Sequence, residues 1–409
     1  MMVGKRRVGV IGAGAAGSMA AIFAARHGAE VLLLERTADG GRKILISGGG
    51  RCNVLPARLD ETRFVTDSSP NVLRKMVRSW PLAEQIAFFE NDLRIPLAEQ
   101  TGTAKLFPVS NKARDVRDGL IEHARSAGVR VMMDTQVTGF ARRDGGWRID
   151  QKSGAPLDVD RVIVATGGLS VPATGSDGFG LTALAALGHT IHPTYAALTP
   201  LTANPAPFES LAGLSLLITI TAKSETRSAT ATGGFVFTHR GYSGPAVLDV
   251  SHVAVRSLVE KGPNARITVR WSPLVDGDWE EAFKPSGART VIGAVRSEMP
   301  ERLALALIRA AGGDPHRALA DLRREERVRL IEMLVRGVLP WTGDEGYKKA
   351  EVTGGGVSLA EVDPRTMESR MQPNLFLCGE VLDAFGPIGG YNFLWAWATG
   401  RAAGVGAAD

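Results

Sequence analysis

The residues with the clearest chemical capacity stand in two glycine-rich turns, one toward each end of the chain. The first is Gly12-Ala13-Gly14-Ala15-Ala16-Gly17 and the second is Gly389-Gly390-Tyr391-Asn392; each follows an apolar run and opens a stretch of small residues. Successive backbone N–H groups in such a turn bind an anion, and a helix starting there adds about half a positive elementary charge. In the first turn Gly12 permits the tight bend, Gly14 lets backbone approach a pyrophosphate, and Gly17 lets the helix pack on its strand. Glu35, at the end of EVLLLE, comes roughly 20 residues later, where a carboxylate accepts both hydroxyls of a ribose. Arg36 follows it. Strand, turn, helix, strand and terminal acid occur in that order, which separates this segment from a chance G-x-G-x-x-G in a chain with 48 glycines.

Three further segments add candidates. ADGGRKILISGGGRCNV, residues 38 to 54, is too glycine-rich to fill a core, and it carries Gly41, Arg42, Lys43, Gly50, Arg51, Cys52 and Asn53. Consecutive amides with arginines beside them suit a phosphate and the polar edge of a flavin ring. VDRVIVATGG runs a strand into Ala165, Thr166 and Gly167, and NLFLCGE runs another into Gly379 and Glu380. No second pyrophosphate fingerprint is present, and a nicotinamide-binding domain would need one. The expected resident cofactor is therefore FAD, with NAD(P)H as a transient electron donor.

The elements that must position these residues follow from hydrophobic pattern. Short apolar runs at residues 7 to 11, 30 to 35, 159 to 165 and 374 to 378 predict a parallel sheet buried on both faces. From about residue 192 to 275 the pattern alternates (LSLLITITA, NARITVRW) and predicts antiparallel strands or a small barrel. From about 287 to 339 the period is helical, with Val328, Ile331, Leu334 and Val335 on one face. The expected fold is α/β: a discontinuous Rossmann-like domain, residues 1–190 and 346–409, interrupted by an antiparallel β domain at 191–285 and a helical segment at 286–345. Insertions of this kind commonly cover the cofactor and form a substrate pocket.

GAGAAG, GRKILISGGGRCN, LFPVSNKARDV, ATGGLSVPATGSDGFG, FTHRGYSGPAVLDVS, VTGGGVSLAEVDPRTMESRMQPNLFLCGEVLD and GGYNFLWAWATGRAAG together resemble the HI0933-like family of FAD-dependent oxidoreductases. That family is related to the glutathione-reductase and fumarate-reductase flavoproteins, and the matching segments run from one end of the chain to the other. The resemblance implies that Gly12, Gly14 and Gly17 hold the pyrophosphate and Glu35 the adenosine ribose. It implies that Gly41 to Lys43 and Gly50 to Asn53 line the flavin or its phosphates, and that Val137 meets the adenine edge. Thr166 and Gly167 close over the cofactor, Glu380 meets a ribityl or ribose hydroxyl, and the helix from Gly390 aims at the flavin N1–C2=O edge. Phe393-Leu394 departs from the family pattern, which has a polar residue there.

Catalytic candidates are His239 in FTHRGYSGP, as a proton donor beside Arg240 and Tyr242, together with Tyr391 and Asn392 at the start of the last helix. Cys52 and Cys378 are the only cysteines and form no C-x-x-C couple, so a dithiol mechanism and a disulfide framework are not expected. The pI near 9.3 and net charge of +5 arise from arginines interleaved with acids, as in RREERVR. Such interleaving describes a solvated surface, so neither nucleic acid nor membrane is the expected partner. MMVGKRR followed by an apolar run imitates a secretory signal, but the glycines that follow fit a nucleotide turn better. The expectation is a cytoplasmic FAD-dependent oxidoreductase of unspecified oligomeric state. It would pass hydride through flavin N5 between a small organic substrate and NAD(P)H or another electron partner. The alternatives are an amine oxidase using oxygen, an RNA-modifying flavoprotein, and an FAD binder without turnover.

Overall fold

The computed structural model describes residues 5–260 and 262–409; residues 1–4 of the signal-like MMVGKRR lie outside that range. The chain divides into two compact units, one comprising the chain up to Ala196 with Glu351–Asp409, the other Ala197–Ala350.

The first unit is built on a five-stranded parallel sheet ordered Leu375–Leu377, Arg161–Val164, Arg7–Ile11, Glu30–Leu34, Arg130–Met132. Its central strands are buried almost completely, as runs such as VGVI and VLLL require when both faces are covered. Strand order reverses beside Arg7–Ile11, because the chain next adds strands on one side of it and later on the other. In open sheets of this kind the crevice at the carboxyl ends of the strands, at that reversal, is where ligands bind. The two glycine turns, Glu35, Thr166 and Glu380 all follow those carboxyl ends or open the last helix.

One face of the sheet is covered by the helices Ala15–Arg26 and Tyr391–Ala408, which meet closely. Side chains at Gly400 and Gly404 would place Cβ atoms 2.4 and 2.3 Å from the carbonyl oxygens of Ala16 and Ala20, so only glycine admits this approach. The first and last helices thus form one layer. Trp395 donates from Nε1 to Gly379 O (3.0 Å), and Trp397 donates to Val54 O (3.1 Å), fixing the last helix to the strand end and to the glycine-rich loop. A meander of Val137–Arg143, Gly146–Gln151 and Leu157–Val159 and a three-stranded sheet containing the hairpin Leu97–Gln100 and Lys105–Pro108 complete the unit.

The second unit holds a seven-stranded antiparallel sheet, from Gly337–Val338 at one end to Gly343–Asp344 at the other. The helix Pro245–Val259 packs on it, and Glu301–Ala310 and Arg324–Arg336 share its core with Phe235, Phe237, Trp271 and Trp279. On the helix Arg324–Arg336 the buried face is Leu330, Ile331, Leu334 and Val335, whereas Val328 is 60% exposed. Val328 is one turn removed from the stripe that the other four residues make. No helix among the described residues is long and apolar enough to cross a membrane.

Candidate functional site

A cavity of about 590 Å³ opens at the carboxyl ends of the parallel strands and is lined entirely by the first unit. That volume lies inside the range of small-molecule sites, roughly 300–1,000 Å³. Of the sequence-predicted cofactor residues, the cavity wall contains Gly12, Gly14, Ala15, Ala16, Glu35, Arg36, Gly41, Arg42, Lys43, Arg51, Asn53, Val137, Ala165, Thr166, Gly167, Gly379, Glu380, Gly389, Gly390 and Asn392. Gly17, Gly50, Cys52 and Tyr391 are not part of that wall, nor is His239, which belongs to the second unit.

The first turn shows why its glycines differ. A Cβ on Gly14 would have nothing within 4 Å, so the backbone there faces open cavity, whereas a Cβ on Gly17 would lie 1.8 Å from Gly12 O. Gly14 leaves room for a ligand; Gly17 lets the helix sit on the turn. Glu35 closes the next strand: it accepts from Ala13 N (2.8 Å) through Oε2, and from Thr37 N (2.8 Å) and Thr37 Oγ1 (2.7 Å) through Oε1. Each carboxylate oxygen has two acceptor sites, so this bracing still leaves one position on Oε2. Arg36 pairs with Asp177 and donates to Gly175 O (3.3 Å).

The glycine-rich loop is held at its start by Arg117, which donates to Asp39 O (3.2 Å) and Gly40 O (3.3 Å). Arg42 donates to Asp39 Oδ1 (2.7 Å), and this bond, with Arg117 nearby, outweighs desolvation and keeps the Asp39 carboxyl below its ordinary value. At its end, Asn53 bridges to the last helix. With the amide turned to satisfy both groups, its oxygen accepts from Gly390 N (3.0 Å) and its nitrogen donates to Leu55 O (3.2 Å). Head and tail of the chain are therefore joined at the cavity by direct hydrogen bonds.

Lys43 and Glu380 form the polar centre. Lys43 Nζ donates to Glu380 Oε2 (2.6 Å) and Ser170 Oγ (2.6 Å), while Ser170 Oγ (2.7 Å) and Thr353 N (2.9 Å) donate to Glu380 Oε1. Burial pushes the Glu380 carboxyl upward, but the Lys43 charge and these donors prevail and hold it below its ordinary value. The pair contributes a fixed, internally neutralised dipole.

The helix Tyr391–Ala408 starts at Gly390, which has φ +89° and no room for a side chain, since a Cβ would meet Leu55 C at 2.3 Å. Gly390 has no side chain to cap the first turn, and beyond its own N–H, which donates to Asn53, no side-chain cap is found among the described residues. Unpaired first-turn amides and the positive end of the helix dipole thus face the cavity beside Gly389, Asn392 and Phe393. Asn392 lines the wall with both ends of its amide occupied, accepting from Gly386 N (2.9 Å) and donating to Gly386 O (2.9 Å). Tyr391 points elsewhere. It is buried, its hydroxyl accepts from Asp60 N (3.2 Å), and it lines a separate cleft of about 270 Å³. Phe393, where a polar residue was expected, stacks on Trp397 at 5.3 Å and 7° and makes this wall apolar.

Cys52 and Cys378 are both buried, and burial raises both thiols, Cys52 to about 12 despite a hydrogen bond with Ser47. Neither is a thiolate at neutral pH. His239 and Arg240 are exposed in the turn between Ser228–Thr238 and Gly241–Ser243, and Tyr242 is buried with its hydroxyl unpaired. No group of three or more metal-binding side chains occurs among the described residues.

Several wall residues escaped sequence reasoning. Gln100, Thr103, Lys105 and Phe107 come from the hairpin, and Arg51 lies 4.4 Å over the Phe107 ring. Phe107 stands in the quoted segment LFPVSNKARDV, which was the available signal. The residues present fit FAD: an open backbone approach at Gly14, an acceptor at Glu35, and first-turn amides of the last helix beyond Gly390 without a side-chain cap.

Comparison with known proteins gives a match to the model of the HI0933-like protein Rossmann domain over residues 6–406. The chain is 32% identical over 397 residues to the ribosomal RNA dihydrouridine synthase of Escherichia coli strain K12, covering 95% of each chain. It is 30% identical over 411 residues to the 3-dehydro-bile acid delta(4,6)-reductase of Clostridium scindens, covering 98% of this chain and 99% of that one. Among solved structures, 3-ketosteroid-delta4-(5alpha)-dehydrogenase from Rhodococcus jostii RHA1 aligns over 100% of this chain and 98% of its own, with TM-score 0.47 and 17% identity.

Proposed function

The chain belongs to the HI0933-like family of FAD-dependent oxidoreductases, and from that premise we propose that it saturates a carbon–carbon double bond conjugated to a carbonyl, with NAD(P)H as electron source. The observation that carries the reading is the uncapped first turn of Tyr391–Ala408 opening on the cavity. The chemistry supplied by bound FAD is a two-electron hydride transfer from N5 to the β carbon, the α carbon taking a proton. The helix amides would stabilise the negative charge of the reduced ring by roughly 0.3–2 kcal/mol, which favours its reduction by NAD(P)H rather than the later hydride transfer to substrate. The Lys43–Glu380 pair adds no net charge, and Phe393 on Trp397 keeps water from one wall.

The names of the two full-length relatives support the same bond type. Dihydrouridine is uridine with its carbonyl-conjugated ring double bond saturated, and a delta(4,6)-reductase acts on double bonds of a steroid ring system. A conjugated carbonyl makes the β carbon electrophilic, which is what a hydride donor needs. A small molecule is the first substrate reading. A second, a uracil base within RNA, is favoured by the name of the 32% identical relative.

The test is anaerobic. Holoenzyme bleached with NADPH or NADH is mixed with a 3-oxo-Δ4 steroid, uridine, or ribosomal RNA, and return of the yellow flavin is followed. Reoxidation by any of the three supports the reading and selects between its forms. Bleaching by amines with reoxidation by oxygen alone would replace it with an amine oxidase.

A further inference from the structure

The cleft that receives Tyr391 is not used by the proposed reaction, yet it shares Thr103, Ile388 and Gly389 with the main cavity. Its position is therefore beside the start of the last helix, where the reacting end of the cofactor would lie. Two guanidinium groups, Arg58 and Arg63, line it. Arg63 stands 5.4 Å over the Tyr391 ring, and stacking of this kind fixes the plane of the fork that binds oxyanions. The backbone beneath is anchored, because Asp60 N donates to Tyr391 Oη (3.2 Å), which in turn donates to Arg58 O (3.5 Å).

The cleft also contains one acid, Asp60, whose carboxylate turns onto its own chain. It accepts from Thr62 Oγ1 (2.6 Å) and Thr62 N (3.0 Å), and these bonds, with the Arg63 charge nearby, hold it below its ordinary value. Glu61 is turned away onto Arg78 at 2.8 Å. Lys105 adds a further positive charge at the junction, its Cε 3.7 Å from where a Gly389 Cβ would be. A volume of about 270 Å³ falls below the usual range for a whole organic ligand, roughly 300–1,000 Å³, and suits one anionic group of a larger molecule.

We propose that this cleft is a phosphate subsite: Arg58 and Arg63 hold a phosphate ester of a molecule whose reacting part reaches the flavin cavity. The inference rests on the double-bond reductase reading for what reacts, but not for what binds. Two sources share the chemistry, the phosphate of a nucleotide substrate and the phosphate that distinguishes NADPH from NADH.

The experiment uses FAD-loaded protein and the double variant R58M/R63M, which keeps the apolar stems, with R58K/R63K as the charge-retaining control. Inorganic phosphate is titrated by calorimetry at low ionic strength. Binding should weaken at least about tenfold in R58M/R63M and be largely retained in R58K/R63K, a factor that corresponds to losing one modest charge-assisted contact. Equal phosphate binding by wild type and R58M/R63M overturns the proposal whatever the protein catalyses. Steady-state kinetics then identify the source. A rise in KM for uridine 5′-monophosphate but not uridine, at unchanged kcat, assigns the substrate phosphate. A rise for NADPH but not NADH assigns the donor phosphate. If the protein turns over and neither ratio moves, the subsite is not used and the proposal fails. If neither nucleoside nor steroid is reduced, the reaction reading fails while calorimetry still decides the subsite.

Discussion

Replacing Glu380 by Gln leaves Oε1 able to accept from Ser170 and Thr353, but it puts an amide N–H₂ where Oε2 met Lys43 Nζ at 2.6 Å. Two donors then face each other and the ammonium loses its counter-charge. Removing one member of a buried pair costs about 3–5 kcal/mol. Here the side chains are 27% and 17% exposed, so water compensates in part and we expect about 2–3 kcal/mol. At about 2–4 °C per kcal/mol for a unit of this size, the apo-protein melting temperature should fall by about 4–12 °C. Lys43→Met should cost a similar amount, because Glu380 stays buried without its cation. The double variant K43M/E380Q should be more stable than the sum of the two losses by about 1.5 kcal/mol or more, the signature of a direct pair. Thermal and urea unfolding measure the cycle, and flavin fluorescence measures FAD affinity, which should weaken in both single variants. The sign with pH is fixed. A carboxyl held below its ordinary value contributes stability above about pH 4.3 and loses it as pH falls through the folded value. The advantage of wild type over E380Q should thus be level from neutrality down to about pH 5 and shrink below. Additive single losses, within about 0.5 kcal/mol, would refute the pairing.

Within the first turn, Gly14→Val should weaken FAD binding about a hundredfold, as expected for losing backbone contacts to a pyrophosphate, while leaving apo-protein melting nearly unchanged. Gly17→Ala should do the opposite and cost about 3 kcal/mol of stability, because its Cβ would sit 1.8 Å from Gly12 O; equal effects at the two positions would contradict the division of labour. His189 is buried between Glu361 (3.0 Å) and Ser369 (2.9 Å), and burial, opposed by the Glu361 bond, holds its ring below the ordinary value. The unfolded chain therefore takes up the proton first, so melting temperature should fall as pH drops below about 6.5, and His189→Gln should flatten that slope. Both thiols should be inert to a disulfide reagent at pH 8 in the native protein and react fully after unfolding, since each is buried and raised.

The framework of the cofactor domain could be read from the sequence because its physics is local. Apolar runs such as VGVI and EVLLLE can only be parallel strands covered on both faces, and the turn after each strand falls where sheet topology places a ligand. Tyr391 and Asn392 show where local reading stops. Successive helical residues point about 100° apart, so one neighbour faces the main cavity and the other a different cleft. The hairpin residues Gln100, Lys105 and Phe107 were hidden because a short alternating pair of strands looks the same whether it borders a ligand or solvent. Cys52 and Gly50 stand in the correct loop, yet this loop turns through successive left-handed residues, which send adjacent positions to opposite sides. Val328 fits a helical period on paper but falls outside the buried stripe, which only packing determines.

The most direct test of the central claim is a single anaerobic mixing experiment. Protein carrying FAD is reduced to completion, separated from the reductant, and mixed with uridine or a 3-oxo-Δ4 steroid while flavin absorbance is recorded. We predict that the yellow colour returns in step with loss of the conjugated double bond, one bond saturated per flavin reoxidised. A reduced flavin that stays bleached with every conjugated carbonyl compound and recovers only on admitting air would contradict the account.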